Sequence, residues 1–148
     1  MYTETLIKIF KNNLASLKEE IELYKIEKNL WIIDKNINNS AGNLCLHIIG
    51  NLNHFIGAVI GNTGYVRQIE LEFSIKDIPV NSLLKQIDDT VVVIEDALSK
   101  LSVNDLQKKY PIEVFKEPMT FEYFLTFLTT HFSYHLGQIN YHRRLLDS

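Results

Sequence analysis

Apolar residues recur at intervals of three and four along four long stretches of this chain, and that spacing is the period of a helix. The first stretch runs from about Tyr2 to Lys28 and places Leu6, Ile9, Phe10, Leu14, Leu17, Ile21 and Tyr24 on one face. The asparagine-rich "WIIDKNINNS" then breaks the pattern, and Ser40 or Asn39 stands where a second helix needs its N-cap. That helix is expected over about Ala41 to Gly61, closed by "GNTG" at 61–64. A third follows over about Val80 to Lys100, with Leu83, Leu84, Ile87, Val91, Ile94 and Leu98 facing inward. Pro118 and Thr120 open a fourth that runs to about Leu146, Thr120 being the candidate cap. Between the third and fourth, "YPIEVF" reads as a short extended piece.

Four long helices without strong strands predict an all-α four-helix bundle. The 2–3 and 3–4 connections are long for simple up-and-down hairpins, long enough to cross the bundle, so helices two and three are free to run parallel. A chain of 148 residues suits one domain over 1–148. The net charge of −3 leaves no basic footprint for nucleic acid. The local Arg143-Arg144 pair is read as a partner for the helix C-terminal dipole. Cys45 is the lone cysteine, so no internal disulfide forms. "MYTETLIKIFKNNL" lacks the pattern of a signal peptide, and the most apolar window, Leu44 to Gly61, is interrupted by histidines and asparagines. A cytoplasmic protein without a membrane span is the expectation.

Three of the five histidines lie on the fourth helix. At about 100° per residue, His131, His135 and His142 fall within roughly 40° of each other. His131 and His135 are about 6 Å apart along the axis, a spacing at which two imidazoles share one ion. His142 is about 10 Å further on, out of reach. On helix two, His47, Asn51 and His54 share a face, and His47 and His54 are about 10 Å apart, so one of them can join the pair. Such a set is three neutral imidazoles around a doubly charged ion with a coordination position open, the pattern of catalytic rather than closed structural sites. The other faces of helix four carry Phe121, Phe124, Leu125, Phe127, Leu128, Phe132, Leu136 and Ile139, so the histidine face is turned inward or into a cleft.

Two metal chemistries do not fit. A zinc protease helix carries Glu beside its first histidine, and here Phe132 holds that place. A carboxylate-bridged di-iron bundle carries Glu three residues before His, where this chain has Leu44, Asn51, Leu128, Phe132 and Ile139. Gly50, Gly57 and Gly61 form a stripe that suits either close helix packing or room for a ligand. Cys45 lies roughly 160° round the wheel from His47 and reads as a core thiol. Gln138 returns to the face of His131 and His135, and Tyr134 sits at its edge with a hydroxyl to offer. Arg67 and Glu72 are candidates for an ion pair that pins the loop after helix two.

The stretch "NLCLHIIGNLNHFIGAVIGNTGYVRQIELEF", followed by "HFSYHLGQI", resembles the DinB-like proteins, nearest to their uncharacterised bacterial subgroup. The motifs that carry the likeness are His-x-x-Gly-Asn, Arg…Glu-Phe and His-x-x-Tyr-His-x-Gly-Gln-Ile. The resemblance implies up-down-down-up connectivity and one divalent ion held by His47, His131 and His135; imidazole ligands suit several transition ions, zinc or nickel being the expected one. It leaves His54 and His142 spare, His54 as a residue behind the ligands or one of packing. Asn51, Gln138 and Tyr134 are the other expected neighbours of the ligands, Gln138 and Tyr134 being those placed to orient a bound species. Characterised members are thiol-dependent enzymes using low-molecular-weight thiols such as bacillithiol or mycothiol, and the family habit implies a homodimer. The expected function is therefore a metal-dependent thiol S-transferase, or a related hydrolase or isomerase, acting on a small-molecule substrate. The alternative is a stress-response or metal-binding bundle in which the ion only holds helix two to helix four.

Overall fold

The computed structural model describes residues 1–148, and every regular element in it is helical. Helix α1 spans Tyr2–Leu23, α2 Ala41–Leu52, α3 Ile69–Ser74, α4 Val80–Ser99, α5 Val103–Leu106 and α6 Phe121–Leu146. A 3-10 turn covers Glu27–Trp31, and α2 continues into a π-helical stretch over Asn53–Ala58. The starts follow from side-chain chemistry. Ser40 Oγ accepts the Asn43 N–H at 3.1 Å, and Thr120 Oγ1 accepts the Tyr123 N–H at 3.1 Å. Each cap satisfies an otherwise orphaned donor and contributes about 1 kcal/mol.

The helices depart from sequence expectation in three places. The first ends at Leu23, not near Lys28: Tyr24 turns out in extended backbone (φ −61°, ψ 125°). The Asp147 carboxylate, from the far end of the chain, accepts the backbone N–H groups of Lys25 and Ile26 at 2.6 and 3.1 Å. Those donors would otherwise have bonded within a continued helix, and the 3-10 turn that follows buries Leu30 and Trp31. The second stops being an α-helix at Leu52, so the straight wheel that grouped His47, Asn51 and His54 holds only to that residue. "YPIEVF" forms no strand, the only β-type pairing being one bridge between Lys109 and Thr120. The intended loops instead hold two short helices, α3 and α5.

A continuous cluster of 28 buried apolar residues forms the core. From α1 it takes Leu6, Phe10, Leu14, Leu17 and Ile21, each at most 1% exposed. A buried leucine or isoleucine of this kind contributes about 1.5–3 kcal/mol, so the stripe read from the sequence, without Ile9, which is 38% exposed, is the main hold on α1. Helix α1 packs on α4 and α6, and α2 packs on the same two. Along α1, Tyr2 bonds Thr126 and Glu20 bonds Arg143, both on α6, while Lys11 and Lys18 pair with Glu95 and Asp88 of α4. No helix is long and apolar enough to cross a membrane.

Candidate metal centre

One turn of α6 carries His131 and His135, and α2 presents His47 across from them. His131 Nε2 stands 3.3 Å from His47 Nε2 and 3.2 Å from His135 Nε2. The candidate ligand atoms of all three residues lie within 4.8 Å of one another. The rings meet edge to face, at interplanar angles of 73° and 87° for His47 against its two partners. All three are half-buried.

The outer ring nitrogens show which atoms are left for a ligand. His135 Nδ1 lies 2.7 Å from Gln138 Oε1, and His47 Nδ1 lies 3.1 Å from Glu72 Oε1. An amide oxygen and a carboxylate only accept, so both Nδ1 atoms carry the proton. Both Nε2 atoms are then bare lone pairs aimed at His131. A proton on His131 Nε2 could serve only one of them, so at least one lone pair has no donor. Three nitrogens in mutual contact with at most one proton among them suit a cation. The spacing suits one too: nitrogens bonded at 2.0–2.1 Å to a tetrahedral ion stand about 3.3 Å apart. The residues present fit a divalent ion.

The neutral form of His131 and His135 is favoured by burial. Burial, with His135, His47 and Arg67 close by, pushes the His131 pKa down to about 4. Burial also lowers that of His135, against the opposing pull of its bond to Gln138. Behind His47, Arg67 grips Glu72 with two bonds, Nε to Oε2 at 2.8 Å and Nη2 to Oε1 at 2.9 Å. Burial alone would raise the Glu72 carboxyl, but the bonds from His47 and Arg67 outweigh it and hold the group below its ordinary range. Arg67 Nη2 also comes within 3.3 Å of His47 Nδ1, where two donors would face each other. The shorter contact to the carboxylate decides the tautomer.

Glu72 reaches His47 only because position 50 is glycine. A Cβ there would stand 2.6 Å from Glu72 Cδ. Gly57 and Gly61, in contrast, make room for Val93 and Ala97 of α4. The stripe thus divides between the two readings its sequence allowed, with the room at Gly50 taken by a protein carboxylate. Helix α3 is fixed in turn by Asn43 of α2, fully buried, whose Nδ2 donates to the carbonyls of Glu72 and Ile75 at 3.0 and 2.8 Å.

The remaining candidates fall differently. His54 lies in the π-helical stretch, packs on Phe55 at 4.7 Å between centroids, and joins no hydrogen bond to the three histidines. Asn51 is buried but does not bond to them either. Neither side chain therefore orients the three rings through a hydrogen bond. Tyr134 is 67% exposed, its ring edge-on to His135, with its hydroxyl bonded to nothing in the chain. Cys45 is fully buried, and burial pushes its thiol up to about 12, an inert group. His142 is a closed unit: its Nε2 donates to the Ile32 carbonyl at 2.9 Å and its Nδ1 accepts the Tyr24 hydroxyl at 2.6 Å. Of the Arg143-Arg144 pair, Arg143 binds Glu20 at 2.8 Å and Arg144 lies over the Tyr141 ring. The Arg67–Glu72 ion pair expected from the sequence is present, but its carboxylate also holds His47, a contact that the spacing within "RQIELEF" does not reveal.

An all-helical protein with three convergent imidazoles, able to hold one ion, is the class that fold and site define. The chain belongs to the family described as "Protein of unknown function (DUF1572)", whose family model covers residues 1–148. No curated protein matches it.

Proposed function

We propose that this protein is a DinB-like metal-dependent enzyme in which Nε2 of His47, His131 and His135 hold one divalent transition ion, zinc or nickel, that activates a small thiol or a water. The observation that carries the reading is the contact of three Nε2 atoms with two of the opposing Nδ1 protons already assigned to Glu72 and Gln138. Such outer hydrogen bonds fix ring orientation and raise the basicity of the ligand nitrogen. A bound divalent ion supplies a thiolate at neutral pH, since coordination deprotonates a thiol whose free pKa is near 8.5. The chain's own residues position: Glu72 and Arg67 hold the His47 ring, and Gln138 holds the His135 ring.

The same proposal takes the fold as a four-helix bundle with up-down-down-up connectivity. In its support, contacts between α1 and α6 rise together in residue number, from Tyr2 with Thr126 to Glu20 with Arg143. Those of α1 with α4 run in opposite order, Lys11 with Glu95 and Lys18 with Asp88. The S-transferase chemistry and a small-molecule thiol partner rest on the family likeness of the motifs.

The test is metal content by mass spectrometry on tag-free protein. About one ion per chain, lost in His135→Ala, is the expected result and licenses a screen of thiols against electrophiles. No ion in the wild-type protein, after apo preparation and reloading with zinc or nickel, sinks the reading. Full metal binding with a collapse of thermal stability on chelation, and no exchangeable ligand, turns it toward a purely structural ion bridging α2 and α6.

A further inference from the structure

A groove of about 410 Å³ opens beside His135 and Gln138 and runs along α6 to His142, walled on the other side by the loop of residues 36–39. That volume suits a small organic molecule. The polar groups of its wall are Asn36, Asn38, Asn39, Gln138 and the Tyr141 hydroxyl; no Lys, Arg, Asp or Glu lines it. The three asparagine side chains and the tyrosine hydroxyl have no hydrogen-bond partner in the chain, and Gln138 uses only its Oε1, on His135, so its N–H₂ stays free. His142 has both ring nitrogens occupied and contributes ring surface alone. Ile37, Leu44 and Leu145 supply the apolar part.

This wall recognises some chemistries and not others. A carboxylate or phosphate is held by Arg, Lys or the N–H groups of a helix N-terminus. The groove wall has no such cation and follows the C-terminal half of α6, the carbonyl end, whose partial charge is negative. The N-terminus of α2 adjoins the asparagine loop, but Ala41, Gly42 and Asn43 are buried and do not line the groove, and the Asn43 N–H is taken by Ser40 Oγ. Side-chain amides donate and accept at once, which is the pattern of hydroxyl and amide groups. We propose that the groove binds the body of a neutral small molecule carrying hydroxyl or amide groups, whose reactive atom extends past His135 to the three converging Nε2 atoms. This rests on the metal-centre reading for the reactive end, while selection of the body belongs to the asparagine loop and Gln138.

The experiment compares two thiols of similar size, thioglycerol (a neutral diol) and mercaptopropionate (an anion). In cobalt(II)-loaded protein, thiolate-to-cobalt absorbance should saturate at lower thioglycerol concentration, by about fivefold or more. The exposed loop variant Asn38→Lys should move the preference toward mercaptopropionate by about fivefold, the scale of one surface charge pair. The side-chain amide resonances of Asn36, Asn38, Asn39 and Gln138 should shift with thioglycerol and not with mercaptopropionate, in the metal-free protein as well. Equal or tighter binding of the anion, or amide resonances that stay still with both thiols, overturns the inference. Cobalt that fails to bind, beside amides that do shift with thioglycerol, overturns the metal reading and leaves the groove assignment standing.

Discussion

Helix α6 carries histidines into two surroundings. At His142, 3% exposed, both ring nitrogens have protein partners: the Ile32 carbonyl takes the proton of one and the Tyr24 hydroxyl gives a proton to the other. At His131 and His135, joined by His47 from α2, the outer nitrogens of His47 and His135 are held by an acceptor and the inner ones face each other. The residue type is the same, and His142 is buried where the other three are half-buried. What differs is which lone pairs remain without a donor. A histidine satisfied on both sides is a structural pin, and a histidine held on one side with its other nitrogen bare is free to serve as a ligand.

The comparison can be broken by exchanging losses between the two regions. The largest effect is expected for His131→Ala, which should remove the bound ion, while His142→Ala keeps it; mass spectrometry of both variants reads the difference, and metal loss in His142→Ala would erase the distinction. Next, His142→Ala should lower unfolding stability by about 3 kcal/mol, because Tyr24 Oη and the Ile32 carbonyl are left unpaired in a buried place. Urea titration measures it, and a loss no larger than that of an exposed substitution such as Tyr134→Phe would deny the pin.

Smaller effects sharpen the account of what holds His47. Glu72→Gln should weaken metal affinity by about 10–100-fold. Gly50→Ala should act in the same direction by displacing the carboxylate, although alanine is the better helix former by about 1 kcal/mol. Competition with a chromogenic chelator gives both affinities, and an unchanged value in Gly50→Ala would show that the Glu72 contact is idle. Tyr24→Phe removes one hydrogen bond and should cost about 1 kcal/mol of stability with metal content unchanged.

The smallest expected effect is on pH dependence. Burial lowers the His142 pKa below its ordinary 6.5, against the opposing bond to Ile32. Tyr24, and beyond it Glu20, Arg143 and Asp147, are the titratable groups around it. The unfolded chain protonates this imidazole near 6.5 and the folded one only lower, so unfolding takes up a proton between the two values. The contribution of His142 is therefore full above about pH 6.5 and is lost as pH falls through the folded pKa. Stability measured at pH 7 and pH 5 should fall less in His142→Gln than in the wild type, and an equal fall would refute the neutral pin.

Much of the architecture was legible because it is local. The apolar period set the extent of α4 and α6 and most of the buried face of α1, and Ser40 and Thr120 marked two starts through a side-chain bond three residues long. The ends were less legible where a distant residue decides them, as Asp147 does for α1. The π-helical stretch after Leu52 was invisible for a similar reason. Asn53 there donates to Thr90 of α4, and Tyr110 donates to the Phe55 carbonyl, partners far away in sequence.

For the site, the sequence by itself determined that His131 and His135 meet, since four residues on a helix bring two side chains to the same face whatever surrounds them. It also limited the third member to His47 or His54 by their separation along one helix. The family likeness pointed to His47, and only the tertiary structure decided that Glu72 reaches it through the gap at Gly50 and that His142 is closed off by Tyr24 and Ile32. The physical reason is that backbone geometry fixes spacing within a helix, whereas the protonation and partners of an imidazole depend on which acceptor another segment brings within 3 Å or so of it.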